Sequence, residues 1–553
     1  MHSTMMDVPL TVEGIMRYGT TIFADSVVVT CTAEGTRSRS YESAARRAAQ
    51  LAGALRRLGI DGDQRVATFM WNNAEHLEAY LAIPSMGAVL HTLNIRLSAD
   101  HLAYIANHAA DEVIIADATL VPLLATVLPQ MKTVRHVILT GPSDRTAAAA
   151  ADQLGSAGVQ LHGYEDLLSA EKESFSWPAL DERQAAAMCY TSGTTGGPKG
   201  VVYSHRSMYL HSMGACMGNT FAISEQDRVL PVVPMFHANA WGLPYAAVLA
   251  GADLVMPDRF LQAEPLARLI AAERPTIAGA VPTIWNELLR YVRVHGGDLS
   301  SLRMVPCGGS AVPHSLMEAF ETELGVRIVH AWGMTETSPL GSVAHPPRGV
   351  SAEEAWRYRD TQGRLIAMVE ARLVGDGGNI LAHDGKAVGE IEVRGPWITG
   401  SYYGDEDQDK FDDGWLRTGD VGTIDARGFI TLTDRAKDVI KSGGEWISSV
   451  ELENALMGHP DVVEAAVIGV PDDKWGERPF AAVVLREGAS AGPADLREFL
   501  ASRVARWQLP ERWSFITEVP KTSVGKFAKT RLRDGYAKGE YEVIEHSGRT
   551  ELG

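Results

Sequence analysis

Short apolar runs alternate with stretches of helical spacing through the first two-thirds of the chain. RVATFM (65–70) leads into AEHLEAYLAI (74–83), and DEVIIAD (111–117) leads into ATLVPLLATVL. AAAMCY (185–190) is followed, after a glycine-rich gap, by SHRSMYLHSMGACM. RVLPVVP, ADLVMP, TIAGAVP, LRMVPCGG and VRIVHAWG are further strand-like runs, mostly with helix-like stretches between them. This alternation predicts α/β layers with largely parallel sheets. The strands show little polar alternation, as in sheets covered on both faces. The texture changes after about residue 365, where EARLVG and GEIEVRG alternate inward and outward positions. That pattern predicts a small antiparallel β subdomain, a sheet or barrel. Past DRAKD (434–438) come the helices SVELENALMG and PADLREFLASRVARW and the strands VVEAAVIGV and PFAAVVLRE. They predict a small α+β domain of about 115 residues. The alanine-rich TAAAAAD reads as a surface helix or loop.

Length agrees with this division, because 553 residues exceed one ordinary core. The net charge of −18 disfavours nonspecific binding to nucleic acid or an anionic membrane. Cys31, Cys189, Cys216 and Cys307 lie far apart with no C-x-x-C, so they read as free thiols in a reducing compartment. The first residues, MHSTMMDVPLTVEG, lack a basic segment followed by an apolar one, so no secretory signal is expected. The apolar run AWGLPYAAVLAG (240–251) is too short to cross a bilayer and reads as core. A cytoplasmic location is the expectation.

The glycine-rich gap is where chemistry first enters. YTSGTTGGPKGVVYSHR (190–206) is not a Walker A loop, because Pro198 precedes Lys199 and Gly200 follows it, where a magnesium-binding Ser or Thr would stand. The physics is still that of an anion cradle. Glycines let backbone N–H groups converge, hydroxyls add donors and Lys199 adds charge. Composition alone leaves a plain surface turn as the alternative.

The remaining motifs come in order: VPMFHANAWGLPY (233–245), CGGSAVP (307–313), AWGMTETSP (331–339), GWLRTGD (414–420), DRAKDVIKSGGEWIS (434–448) and KTSVGKFAK (521–529). Together with the loop they resemble the adenylate-forming superfamily of acyl- and aryl-CoA synthetases, luciferases and peptide-synthetase adenylation domains. The resemblance covers nearly the whole chain. HANAWGLPYAA, AWGMTETSP, GPWITGSYYG and IKSGGEWISSVELENALMGHP look most like bacterial medium- and long-chain fatty acyl-CoA synthetases. It implies a large domain over residues 1–434, a hinge at 435–438 and a small mobile lid domain over 439–553. It also implies two half-reactions in one site. A carboxylate attacks the α-phosphate of ATP, giving acyl-AMP and pyrophosphate. The thiol of coenzyme A then displaces AMP. ATP, Mg²⁺ and coenzyme A are the implied cofactor and substrates, with a fatty acid as partner. The resemblance further implies a homodimer and leaves room for peripheral membrane contact.

Residue by residue, the resemblance assigns Thr191, Ser192, Gly193, Thr194, Thr195 and Lys199 to the β- and γ-phosphates. Glu336 becomes the Mg²⁺ ligand, with Thr191 beside it, and Thr335 a phosphate contact. Hard oxygens with phosphate are what Mg²⁺ prefers. Trp332, where many relatives have Tyr, would stack on adenine. Gly309 and Ser310 would cover the other face, and His330 and Ala331 would contribute backbone contacts. Asp420 would accept from the ribose hydroxyls. Arg435 would hold ribose or phosphate, Lys437 would be the hinge residue, and Lys437 and Lys441 would reach the nucleotide. His237, Ala238 and Trp241 would border the acyl site, Trp241 as a gate, although an aromatic in an apolar run is more often core. Trp446 would approach when the lid closes. Lys526 would be the catalytic lysine of adenylation, entering and leaving by lid rotation. Three other readings stay open: a ligase loading acyl-AMP onto a separate carrier protein, a CoA ligase for a short or unusual carboxylic acid, and a nucleotide-binding regulator without turnover.

Overall fold

Arg65–Phe69, Val89–Thr92, Asp111–Asp117 and His136–Thr140 form the parallel centre of a seven-stranded sheet, extended by Gln160–Gly163 at one edge. Ala185–Tyr190 joins the other side in parallel, and Gly200–Ser204 closes that edge by running back antiparallel. The computed structural model describes residues 1–141, 154, 158–191, 197–375, 377–405, 407–435, 438, 440–442, 445–472, 474–522 and 527–546. The alanine-rich TAAAAAD falls outside the described residues. A second sheet orders Ile277–Gly279, Arg228–Pro231, Asp253–Met256 and Val27–Thr32 in parallel, with Gly35–Ser40 folded back on the last.

Between these two sheets runs the helix Ala74–Ser85, every residue of which is buried. A helix with no solvent face belongs in the middle of a layered domain. Its two carboxylates are accommodated by charge: Glu75 pairs with Arg37 and Arg39, and Glu78 with Arg39 and Arg47. Asn73 starts the helix by accepting from the His76 N–H at 3.0 Å.

The third sheet contains the antiparallel strands expected after residue 365, and they grow out of a parallel pair. Val305–Gly308 and Ile328–Gly333 lie parallel, and Leu340–Val343, Gly363–Leu365, Phe429–Arg435, Trp415–Ile424, Gly389–Arg394 and Glu370–Val374 follow antiparallel. Gly308 permits the first pairing, since a Cβ there would lie 2.3 Å from the Ala331 carbonyl oxygen.

From Ile440 onward a fourth sheet forms around Gly476–Leu485, with Val462–Asp472 antiparallel and Arg512–Phe515 parallel to it. It has its own core, including Ile440, Leu452, Val467, Leu500 and Trp513. The helix expected through PADLREFLASRVARW stops at Ala501, with a short 3₁₀ turn at Arg506–Gln508. Apolar spacing continues to the partly buried Val504, but the chain turns after Ala501 to feed the parallel strand Arg512–Phe515. All four cysteines are free.

Candidate active site

A cavity of about 710 Å³ opens where the first three sheets and the C-terminal unit meet. That is within the range of small-molecule sites. It gathers residues from every motif singled out in the sequence that the structure describes.

The glycine-rich segment joins the antiparallel strands Ala185–Tyr190 and Gly200–Ser204. Thr191 pins its base twice. Its N–H donates to the Lys199 carbonyl at 2.9 Å, and its Oγ1 accepts from the Lys199 N–H at 3.1 Å. Thr191 and Lys199 both line the cavity. Lys199 Nζ stands 3.6 Å from Asp407, which also lines it. Ser192, Gly193, Thr194 and Thr195 lie outside the described residues.

Gly309, Ser310, His330, Ala331 and Trp332 line the cavity from the parallel pair. His330 is 2 % exposed and bonded to the Thr361 backbone, and burial lowers its pKa to about 4, so it is neutral at pH 7. The Trp332 ring packs on Gly341 and joins a core with Leu373, Ile391 and Leu416. Its indole N–H donates to Asp420 Oδ2 at 2.8 Å. The sequence reading gave Trp332 a stacking role; this hydrogen bond adds a role in orienting the aspartate. Asp420 is almost wholly buried, and its N–H donates to Thr418 Oγ1 at 3.0 Å.

Thr335 and Glu336 occupy a 3₁₀ turn. The Thr335 carbonyl accepts from Tyr203 Oη at 2.8 Å, and Glu336 Oε1 accepts from Tyr402 Oη at 2.7 Å. Glu336 is only 6 % exposed, and among the described residues no Lys, Arg or His pairs with it. A buried carboxylate at the cavity wall, without a basic partner among the described residues, fits a hard cation. Among the described residues no cluster of three protein ligands could hold a metal by itself. The donor set therefore suits Mg²⁺ shared with phosphate oxygens.

His237, Ala238 and Trp241 also line the cavity. Here the backbone does something the sequence did not announce. Ala238, Asn239, Ala240, Trp241 and Gly242 have φ of 44°, 51°, 51°, 58° and 72°, one turn of left-handed helix. Left-handed geometry costs roughly 1–2 kcal/mol per non-glycine residue. Part of what holds it is Cys189, which donates to Asn239 Oδ1 at 3.0 Å from the strand leading into the phosphate loop. Burial pushes that thiol up to about 11. Asn239 Nδ2 is buried without a partner among the described residues.

The C-terminal unit contributes Thr522 and Phe527 through Arg531 to the cavity, on either side of Lys526. Lys526 and Lys437 lie outside the described residues. The backbone of Arg435 stands opposite Asp420, and that of Lys441 opposite Trp446 in a hairpin. Sequence reasoning passed over Tyr402 and Asp407. Tyr402 lies within the quoted GPWITGSYYG stretch and Asp407 just after it, and only their contacts mark them.

Residues 21–403 match the AMP-binding enzyme family, and residues 451–526 match the AMP-binding enzyme C-terminal domain. The chain is 43% identical to a 3-methylmercaptopropionyl-CoA ligase of Ruegeria lacuscaerulensis, covering 97% of this chain and 99% of that protein. It is 44% identical to a long-chain-fatty-acid–CoA ligase of Thermus thermophilus, covering 97% of each. In fold it resembles an anthranilate CoA ligase solved with anthranoyl-AMP, at a TM-score of 0.85 and 24% identity over 97% of this chain and 99% of that one. The matches over residues 21–403 and 451–526, with 43–44% identity across almost the whole chain, make it a member of the AMP-binding enzyme family.

Proposed function

We propose that the protein is an AMP-forming acid:CoA ligase whose substrates are medium- or long-chain fatty acids. The observation that carries this reading is the single cleft joining Thr191, Lys199, Glu336 and Asp420 to the His237–Trp241 wall. A carboxylate is a poor electrophile and hydroxide a poor leaving group; AMP is a good one. Asp420, oriented by Trp332, would hold the ribose hydroxyls. Lys199 would exchange Asp407 for phosphate oxygens. Glu336 and Thr191 would hold Mg²⁺, which neutralises phosphate charge during in-line attack. Lys526 would enter on the loop whose flanks rim the cavity and balance charge on the carboxylate and α-phosphate. The 435–438 segment would be the hinge that later turns this loop away and brings the hairpin with Trp446 toward coenzyme A.

A second reading is a short-chain or thioether acid. Its support is the similarity to the 3-methylmercaptopropionyl-CoA ligase. The test is AMP release from ATP with acids graded from C3, including a thioether acid, to C16, with and without coenzyme A. Thioester rates that peak at C8 or longer support the proposal, and a peak at C3 to C5 selects the second reading. Acyl-AMP without thioester indicates a carrier-loading enzyme. No AMP with any acid refutes ligase chemistry.

A further inference from the structure

The loop from Trp397 to Tyr402 grips the turn that carries Glu336 at four points. The Thr399 N–H donates to the Glu336 carbonyl at 2.8 Å. Ser338 Oγ donates to the Trp397 carbonyl at 2.6 Å, and the Trp397 indole N–H donates to the Leu340 carbonyl at 3.0 Å. The fourth contact is on the side chain itself, from Tyr402 Oη to Glu336 Oε1 at 2.7 Å. Tyr402 and Glu336 are each 6 % exposed, and Tyr402 stands edge-on to Phe411 at 5.5 Å. Tyr402 lines both the main cavity and a smaller one of about 440 Å³.

We propose that Tyr402 is a positioning residue for the Mg²⁺-binding carboxylate and therefore serves the adenylation half-reaction. This rests on the assignment of Glu336 as the Mg²⁺ ligand. An ionised carboxylate has about four lone-pair sites. The phenol occupies one on Oε1 and fixes the carboxylate plane, leaving the others for the cation. The backbone bonds place the Glu336 Cα, and the phenol removes the rotation that remains. Groups that orient a metal ligand typically cost 10- to 100-fold in metal affinity or activity when removed.

Two variants and two readouts test this. Mn²⁺ is titrated into wild type, Tyr402→Phe and Glu336→Gln in the presence of a nonhydrolysable ATP analogue, with free Mn²⁺ read by EPR. Acyl-AMP formation is measured in parallel against Mg²⁺ concentration, and thioester formation is measured from supplied acyl-AMP. For Tyr402→Phe, Mn²⁺ affinity is expected to fall about tenfold. The half-saturating Mg²⁺ concentration should rise by a similar factor, and the thioester half should stay within twofold of wild type. If Glu336→Gln weakens Mn²⁺ but Tyr402→Phe leaves Mn²⁺ affinity and the Mg²⁺ profile unchanged, the proposal is overturned. Equal loss in both half-reactions without a change in Mn²⁺ affinity overturns it too, since that is a structural effect. If Glu336→Gln itself leaves Mn²⁺ affinity unchanged, the assignment of Glu336 fails and takes this inference with it.

Discussion

Trp332→Phe separates orientation from packing at the ribose end of the site. The substitution removes the indole N–H that donates to Asp420 at 2.8 Å and keeps an aromatic ring against Gly341. A hydrogen bond to a charged group contributes about 1.5–3 kcal/mol. If all of that serves to hold the carboxylate for the ribose, ATP affinity falls roughly ten- to a hundredfold. The smaller ring also leaves space beside Leu373 and Leu416, at a stability cost of at most about 3 kcal/mol, since full truncation of a buried Trp costs 3–5. The two effects have different readouts. Calorimetric titration with ATP or AMP reports orientation, and the thermal midpoint reports packing. The expected result is ATP affinity at least tenfold weaker, with the acyl-AMP rate at saturating ATP reduced only a few-fold. A lowered midpoint with nucleotide affinity within twofold of wild type would refute the reasoning.

Lys526→Ala is expected to block acyl-AMP formation by about 3–4 kcal/mol, by analogy with loss of an oriented oxyanion donor, while sparing thioester formation from supplied acyl-AMP; equal loss in both halves would count against the assignment. Trp241→Ala, if the side chain gates an acyl tunnel, raises fatty-acid affinity in the absence of nucleotide with a modest drop in thermal midpoint. A loss of about 3–5 kcal/mol of stability with that affinity unchanged would make Trp241 core only. Acid should destabilise the fold through His76, His205, His211 and His330, whose burial lowers each pKa from 6.5 to about 4. Between those values the unfolded chain binds more protons, so stability is complete above about pH 6.5 and falls toward pH 4, by up to about 3 kcal/mol per histidine. Asp258, raised to about 6 by burial beside Asp117, acts in the opposite sense and offsets part of this. Denaturant midpoints from pH 7.5 to 4.5 check the slope, and a flat profile would mean these histidines are solvated.

The strand-and-helix texture was legible because both local periods are written in the residues. Asp111–Asp117 and Ala185–Tyr190 are strands over the very runs their apolar residues mark, and the helix after the phosphate loop is announced by Ser204, whose Oγ caps it. Thr191, Lys199, Glu336 and Asp420 were legible because motif order survives in the chain whatever the packing, and the fold brings these four to one cavity. The helix that begins at Pro493 was read too long, because the turn after Ala501 serves the strand Arg512–Phe515, whose parallel partner at Phe480–Val483 is distant in sequence.

Other features depend on neighbours distant in sequence. Tyr402 is one of two adjacent tyrosines in a loop until the third sheet sets it 2.7 Å from Glu336. The indole of Trp332 meets Asp420 across 88 residues, and Asp407, just before the short turn Gln408–Lys410, meets Lys199 from far along the chain. The left-handed turn at 238–242 has little local reason to form, since Ala, Asn and Trp prefer other geometry; contacts such as that of Cys189 with Asn239 help to hold it. The sequence by itself determined most of the strand and helix segments and which motif residues carry the donors and charge that suit a nucleotide, since periodicity and side-chain chemistry are local. Only the tertiary structure decided which of those side chains are oriented, by what, and where the backbone stores strain, because those depend on contacts between segments far apart in the chain.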